Sequence, residues 1–244
     1  APVVCVGNIT AGGTGKTPAV IERARREIRD NHRVAVLTRG YGAKSSEPMT
    51  VHIGKGSPEL CEILGDEPAL IATKVPEALI VRCADRVAAA RKAIREYDCD
   101  VLILDDGFQY VQLERDENVL VLDATNPFGN GRLLPRGILR EPLKAMARAT
   151  HVILTRCDQA ESLEPALDAV ERFCPDAPVR RTRHVPSVLW RVATGEELPL
   201  PRLKEETICA VCGIGNPEAF FDTLEELGAE IATRMAYPDH AAFP

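Results

Sequence analysis

Pro2-Val3-Val4-Cys5-Val6-Gly7-Asn8-Ile9-Thr10-Ala11-Gly12-Gly13-Thr14-Gly15-Lys16-Thr17-Pro18 is the stretch that decides the fold. Its first five residues are a short apolar run that reads as a buried strand. Glycines then cluster, and Gly15-Lys16-Thr17 leads into Pro18-Ala19-Val20-Ile21, a helix opened by proline. Strand, glycine-rich turn and helix in this order make a phosphate-binding loop. The backbone N–H groups of the turn and the positive end of the helix dipole converge on one spot. The expected nucleotide contacts are Thr10, Ala11, Gly12, Gly13, Thr14, Gly15, Lys16 and Thr17. Lys16 would reach the β- and γ-phosphates of ATP, and the Thr17 hydroxyl would sit on Mg²⁺. Thr10 departs from the common pattern, which has glycine there; the Gly12-Gly13 pair supplies the backbone freedom instead. The competing reading is a chance glycine-rich turn, and the strand and helix on either side count against it.

Outward from this loop, apolar runs alternate with helical patterns. Strands are expected at Arg33–Thr38, Ala78–Val81, Val101–Leu104, Val119–Leu122 and His151–Thr155, and helices at about 18–29, 66–75, 84–97 and 141–149. Strands that are nearly continuous Val, Ile and Leu are buried on both faces. They predict an α/β fold with a mainly parallel sheet covered by helices on each side. Ligands in such sheets bind beyond the C-terminal ends of the strands, so the polar clusters there converge on one site. Beyond about residue 160 the pattern changes. A helix over 161–173, a Pro/Arg/Val-rich stretch over 175–201 and a second β-α-β unit over 207–234 predict a smaller C-terminal α/β lobe, with domains at 1–160 and 161–244.

The chain has 244 residues, enough for one large domain or one domain with an appendage. A net charge of -6 gives no bulk attraction to nucleic acid, and 5% aromatic residues argue against base-stacking surfaces. The eight cysteines are scattered, several inside apolar runs, which suits buried thiols in a reducing compartment. Cys209-Ala210-Val211-Cys212 is a lone C-x-x-C within a strand-like run, with no second pair at metal spacing. No stretch approaches the length of a membrane-spanning helix. The sequence opens directly on a strand and stops at Phe243-Pro244, so both ends read as trimmed.

Several clusters follow strand ends. Val101–Leu104 runs into Asp105-Asp106-Gly107-Phe108-Gln109. An apolar strand ending in Asp is the Walker-B pattern, in which a carboxylate holds Mg²⁺ directly or through water. The alternative is an ordinary Asp-Gly turn. Gly65-Asp66-Glu67-Pro68 precedes a helix. Asp66 is either a helix cap or a base for a hydroxyl nucleophile. Arg39, in Thr38-Arg39-Gly40-Tyr41-Gly42, is a candidate phosphate contact or a solvent-facing charge. The long loop Asp123–Pro142 offers Asn130, Arg132, Arg136 and Arg140, and its length favours a functional loop over a connector.

Taken together, these motifs resemble the tetraacyldisaccharide 4'-kinase family, the lipid A 4'-kinases of Gram-negative bacteria. The resemblance rests on Gly7–Pro18, Thr38–Gly42, Gly65–Pro68, Asp105–Gln109, Phe128–Gly131 and Leu134–Gly137 leading into Leu139–Pro142. It continues through Cys212–Pro217 and Tyr237–His240, all in family order. It implies a P-loop kinase core over 1–160 that uses ATP and Mg²⁺ to phosphorylate the 4'-hydroxyl of a tetraacylated glucosamine disaccharide 1-phosphate. It implies a catalytic pair of Asp66 and His240. Asp105 and Asp106 would be Walker-B acids, and Gln109, Arg140 and Glu141 would lie near the nucleotide and metal. Arg39, Gln109, Asn130 and Arg140 are the expected phosphate and substrate contacts; Thr17, Asp105, Asp106 and Glu141 are the expected metal group. Family members usually carry an N-terminal hydrophobic helix, absent from this stretch, that would bring the enzyme to the cytoplasmic face of the inner membrane. No nucleic acid and no obligatory protein partner are implied. Where many members have a second histidine, this chain has Ala241. The chief alternative is a deviant P-loop switch ATPase of the partitioning or positioning type. Such proteins carry an extra lysine early in the loop, where this chain has Thr10 or Ala11. A synthetase-like enzyme of the same fold and a nucleotide-binding scaffold without activity are further alternatives, and three acids beside a phosphate loop argue against the scaffold.

Overall fold

A computed structural model describes residues 1–41, 43–44, 47–214 and 217–238. The chain packs as two units, 1–183 and 184–244.

The first unit is built on an eight-stranded sheet. Its strands are β1 (Val3–Gly7), β2 (Val34–Thr38), β3 (Met49–His52), β4 (Leu79–Cys83), β5 (Val101–Asp105), β6 (Glu117–Asp123), β7 (His151–Thr155) and β8 (Val179–Arg181). The spatial order is β3-β4-β2-β5-β1-β6-β7-β8, and every pairing is parallel except β3 with β4. β1, β2, β4 and β5 are buried at all their positions, which is why their sequences are apolar throughout rather than alternating.

Alternate side chains serve opposite faces. Val4, Val6, Val36, Ile103 and Val121 face one layer, where α1 (Lys16–Arg29) and α3 (Asp66–Lys74) bring Val20, Ala24, Ile71 and Ala72. Cys5, Leu37, Val81, Leu102 and Leu104 meet Ala89, Ala90 and Ala93 of α4 (Arg86–Tyr97). Leu120, Leu122, Val152 and Leu154 meet Ala166, Ala169 and Val170 of α5 (Glu164–Phe173). Small alanines on α4 and α5 let these helices lie close to the sheet.

The mainly parallel sheet is as expected, and four local differences stand out. The edge strand β3 and the seven-residue α2 (Pro58–Leu64) were not anticipated. Residues 141–149, expected as a helix, form a short 3₁₀ turn over Leu143–Arg148. Its bonds are Ala145 N–H to Pro142 O and Ala149 N–H to Met146 O, three residues apart. β8 pairs with β7, and α5 packs in the same core, so the first unit extends past 160 to Arg183.

The second unit contains an antiparallel pair, β9 (Leu189–Arg191) with β10 (Glu196–Leu198). It also has a parallel pair, β11 (Thr207–Cys212) with β12 (Glu230–Ala236), joined through α6 (Pro217–Glu226). Its core is small: Ala210, Cys212 and Phe221, with Phe220, Leu224 and Ile231 beside them. Cys209 is exposed and Cys212 buried, as positions three apart on a strand must face opposite ways. Among the described residues no helix is long and apolar enough to cross a membrane.

Candidate active site

β1 carries the chain to the C-terminal edge of the sheet, where the loop begins. Asn8, Thr10, Thr14, Lys16 and Thr17 are buried, while Ala11, Gly12 and Gly13 are exposed. Gly12 and Gly15 have φ of +101° and +87°, a region where a side chain is strained. At Gly15 a Cβ would also stand 3.1 Å from Thr155 Cγ2. α1 starts at Lys16, with no side-chain cap on its N-terminus and no acidic residue in its first turn. Its leading N–H groups and dipole therefore favour an anion from outside the helix.

The loop is held from within and without. Asn8 Nδ2 donates to Thr14 Oγ1 at 3.0 Å, and Thr155 Oγ1 donates to Thr14 O at 2.9 Å. The long segment after β6 folds back against it. Thr10 bridges Leu139 in antiparallel fashion, Ala11 N–H donates to Ile138 O at 2.7 Å, and Arg140 N–H donates to Ile9 O at 2.7 Å.

The acids differ in their surroundings. Asp105 ends β5 opposite Val6 of β1 and is 2% exposed. Its Oδ2 accepts from Thr38 Oγ1 at 3.3 Å, whereas its Oδ1 is buried with no hydrogen-bond partner among the described residues. Burial first, then Glu67 and Asp106, push its pKa up to about 7, against the opposing pull of Lys16 and Thr38. Asp106, with φ of +50°, turns away from the core. Arg140 Nη1 donates to its two oxygens at 2.8 and 2.9 Å, and Lys16 Nζ lies 3.9 Å from Oδ1. The same Arg140 nitrogen donates to Asn8 Oδ1 at 3.1 Å, so Asp106, the loop and the long segment share one guanidinium.

Gln109 Nε2 donates to Asn8 O and to Glu141 Oε1, both at 2.8 Å. Arg148 donates to both oxygens of Glu141 at 2.8 Å. Glu141 therefore stands in a network one step behind the loop, its carboxylate taken up by Arg148 and Gln109. Asn130 donates to Arg136 O at 2.8 Å and accepts from Arg132 N–H at 3.1 Å, holding its own loop in shape. Arg39 is exposed beyond β2. His240 lies outside the described residues, as do Gly42, Gly215, Asn216 and Asp239 of the quoted motifs.

Glu67 was missed by the sequence reading. Thr17 Oγ1 donates to its Oε1 at 3.3 Å, across 50 positions of sequence. The signal available was its place beside Asp66, but an acid in the first turn of a helix is ordinary. That contact brings the start of α3 to the phosphate loop. Asp66 is the first residue of α3, whose N-cap is Gly65 with no side-chain cap bond. Asp66 is thus the first helical residue and not the N-cap.

The sequence profile of the family described as LpxK, tetraacyldisaccharide-1-P 4'-kinase, matches residues 1–244. The tetraacyldisaccharide 4'-kinase of Anaeromyxobacter sp. (strain K) is 43% identical over 100% of this chain and 65% of its own length. That of Syntrophus aciditrophicus is 46% identical over 98% of this chain and 66% of its own length. The chain thus spans about two thirds of the length of these relatives. A crystal structure of LpxK from Aquifex aeolicus in complex with ATP superposes with a TM-score of 0.76 at 32% identity, covering 100% of this chain and 74% of that one. These matches do not favour the switch-ATPase alternative. With a profile match from end to end, and a glycine-rich loop and an acid pair at the ends of β1 and β5 to go with it, the chain belongs to the tetraacyldisaccharide-1-phosphate 4'-kinase family.

Proposed function

We propose that the protein transfers the γ-phosphoryl group of ATP to the 4'-hydroxyl of a tetraacylated glucosamine disaccharide 1-phosphate. The observation that carries this reading is the uncapped N-terminus of α1 at Lys16, set against Asp105, Asp106 and Glu67. The loop backbone from Thr10 to Thr17 cradles the nucleotide phosphates, and Lys16 neutralises charge that grows between the β- and γ-phosphates. The relative from Aquifex aeolicus, solved with ATP, supports the choice of nucleotide.

A magnesium ion fits the residues present. Asp105 Oδ1 is a buried acceptor with no donor among the described residues, and such an atom suits a cation or its water. Among the described residues no group of three His, Cys, Asp or Glu side chains could hold a metal alone. That suits Mg²⁺, which keeps several waters and takes phosphate oxygens beside one or two protein ligands. Thr17 and Asp105 are the proposed holders, with Asp106 and Glu67 beside them and Glu141 acting through Gln109. When bound, the ion would neutralise phosphate charge. Arg140 takes up both oxygens of Asp106, which weakens the hold of that carboxylate on the Lys16 ammonium 3.9 Å away.

Asp66, at the head of α3 next to Glu67, is the proposed acceptor of the sugar hydroxyl proton, with His240 as its partner. A hydroxyl is a poor nucleophile near neutral pH, and a positioned base corrects this. Arg39 and Asn130 are the proposed outer contacts to substrate. Because the acceptor is acylated, the reaction takes place at a membrane surface, and ATP places it on the cytoplasmic face of the inner membrane.

The test is ATP consumption and lipid phosphorylation by purified protein, with and without the acylated disaccharide in mixed micelles. Acceptor-dependent formation of a 4'-phosphate supports the reading. Acceptor-independent hydrolysis with ATP-driven dimerisation overturns it in favour of a switch. Fractionation tests the location: a pool wholly free of membrane, with no dependence on lipid or detergent, overturns it.

A further inference from the structure

A single exposed leucine is ordinary, but two adjacent ones held out on a fixed turn are informative. Leu133 and Leu134 stand at the tip of the long segment that follows β6, 44% and 54% exposed. Other apolar residues of that segment go inward: Leu139 is buried in the core that includes α5, and Phe128 packs against the same core. The turn carrying the leucines is tightly built. Leu134 N–H donates to Leu139 O at 2.9 Å, Leu139 N–H to Arg132 O at 3.1 Å and Gly137 N–H to Leu133 O at 3.1 Å. At Gly137 a Cβ would stand 2.1 Å from Asn130 Oδ1 and 2.3 Å from Arg132 O, so glycine is needed for the turn to close.

The charges around the pair have one sign. Arg132 and Arg136 flank it, both exposed and with no ion pair among the described residues. From Ala124 to Arg140 the sequence holds three arginines and no acidic residue, on a chain whose net charge is -6. Arg140 is taken up by Asp106, so the two free cations are those beside the leucines. Asn130 donates to Arg136 O and accepts from Arg132 N–H, which fixes the backbone on both sides of the pair. Leucines set between arginines suit a lipid interface, where apolar side chains enter the acyl boundary and guanidinium groups stay with anionic head groups.

We propose that the turn Arg132–Arg136 docks on an anionic bilayer surface, with Leu133 and Leu134 in the acyl boundary and Arg132 and Arg136 on the head groups. The inference deepens the kinase reading and rests on it, since an acylated acceptor lies in such a surface. A turn fixed beforehand loses little conformational freedom on docking. It is also tied to the phosphate loop: Ala11 N–H donates to Ile138 O, and Arg140 N–H to Ile9 O. A bilayer met by the tip is therefore only a few residues of chain from the nucleotide phosphates. A second copy of this chain is the weaker occupant, because a two-fold contact would set the same arginines against each other.

The test measures partition of the 244-residue chain onto vesicles of phosphatidylcholine alone, or of equal parts phosphatidylcholine and phosphatidylglycerol. Wild type should bind the anionic vesicles and lose binding as salt is raised. Leu133→Ser with Leu134→Ser should lower the partition coefficient by at least about tenfold. Arg132→Gln with Arg136→Gln should lower it by roughly fivefold to thirtyfold on anionic vesicles and leave neutral ones unaffected. Circular dichroism checks that each variant folds. The chain has one tryptophan, so Leu134→Trp in a Trp190→Phe background gives a reporter at the tip. Its emission should move to the blue on anionic vesicles and be quenched by brominated acyl chains. Absence of wild-type binding to anionic vesicles overturns the proposal, as does wild-type binding by the leucine-pair variant. Dimerisation that depends on the leucine pair, without vesicle binding, overturns it in favour of a second copy. If the serine variants fail to fold, the tryptophan reporter decides: emission unmoved and unquenched overturns the docking. The vesicles carry neither ATP nor acceptor, so binding is read apart from transfer. Leucine-dependent binding without phosphorylation of the acylated disaccharide supports the docking element while the kinase reading fails.

Discussion

Two stretches of the same sheet edge handle charge in opposite ways. Where β1, β5 and β6 end, Asp106 and Glu141 each hold an arginine, and Asn8, Gln109 and Arg140 stitch the loop to the segment behind it. Where β2 and β4 end, Arg39 and Arg86 have no carboxylate to meet among the described residues. A network whose charges already meet opposite charges holds its shape before ligand arrives, and such preorganisation is what electrostatic catalysis requires. A rim with uncompensated cations is incomplete until an anion reaches it. The contrast separates a side whose charges are paired within the protein from one whose cations are not.

The largest effect should come from the acceptor side. Asp66→Ala and His240→Ala are each expected to lower kcat by roughly 10²–10⁴-fold, the range for a lost general base. The double variant should be little worse than either single one, as members of one unit give strongly non-additive losses. Small additive losses in a kcat cycle would break the pairing and leave Asp66 merely the first residue of α3. On the nucleotide side, Lys16→Ala should lower kcat by at least about 10²–10³-fold with the fold retained by circular dichroism. Wild-type turnover in that variant would remove the phosphate-loop assignment and the contrast with it.

Arg140→Ala probes the stitching itself. It removes the donor shared by Asp106 and Asn8, frees Asp106 to move onto Lys16, and should lower kcat by roughly tenfold to a hundredfold through misplacement. An unchanged kcat would mean that the network does not prepare the site.

Asp105 gives the smallest effect, seen in stability rather than rate. Its folded pKa of about 7 is above its ordinary value of 3.8. The folded state therefore holds the proton more tightly, and stability falls as pH rises from 3.8 through about 7. In metal-free buffer the loss should be on the order of 1–4 kcal/mol above that window. Denaturant titrations at pH 5 and pH 8 measure it. Asp105→Asn should flatten the dependence, and Mg²⁺ at pH 8 should restore stability to wild type alone. A wild type equally stable at both pH values would show that Asp105 carries no such burden.

Much of this was legible along the chain. The apolar run before Gly7, the glycines before Lys16 and the Asp pair after Leu104 are local patterns, and each sits at the end of a strand in the parallel sheet. β3 and α2 were not legible, because four half-buried residues and a seven-residue helix lack the repeated apolar spacing on which such readings depend. Likewise, Pro142 and a single turn of apolar residues look like a helix start, although the chain continues only as 3₁₀. In the second unit, β11 has only Ala210 and Cys212 buried, yet its run of apolar residues was enough to mark it as a strand.

The sequence by itself determined the central parallel strands, the phosphate loop and the family, since all of these depend on residue types at short, regular spacings. Only the tertiary structure decided which charges meet. Glu67 reaches Thr17 across 50 positions, Arg140 reaches Asn8 across 132, and Glu141 turns to Arg148. Arg86 is left buried with no ion pair among the described residues. Partnership between charged side chains is set by distance and burial after folding, and neither quantity is written in the spacing of residues along the chain.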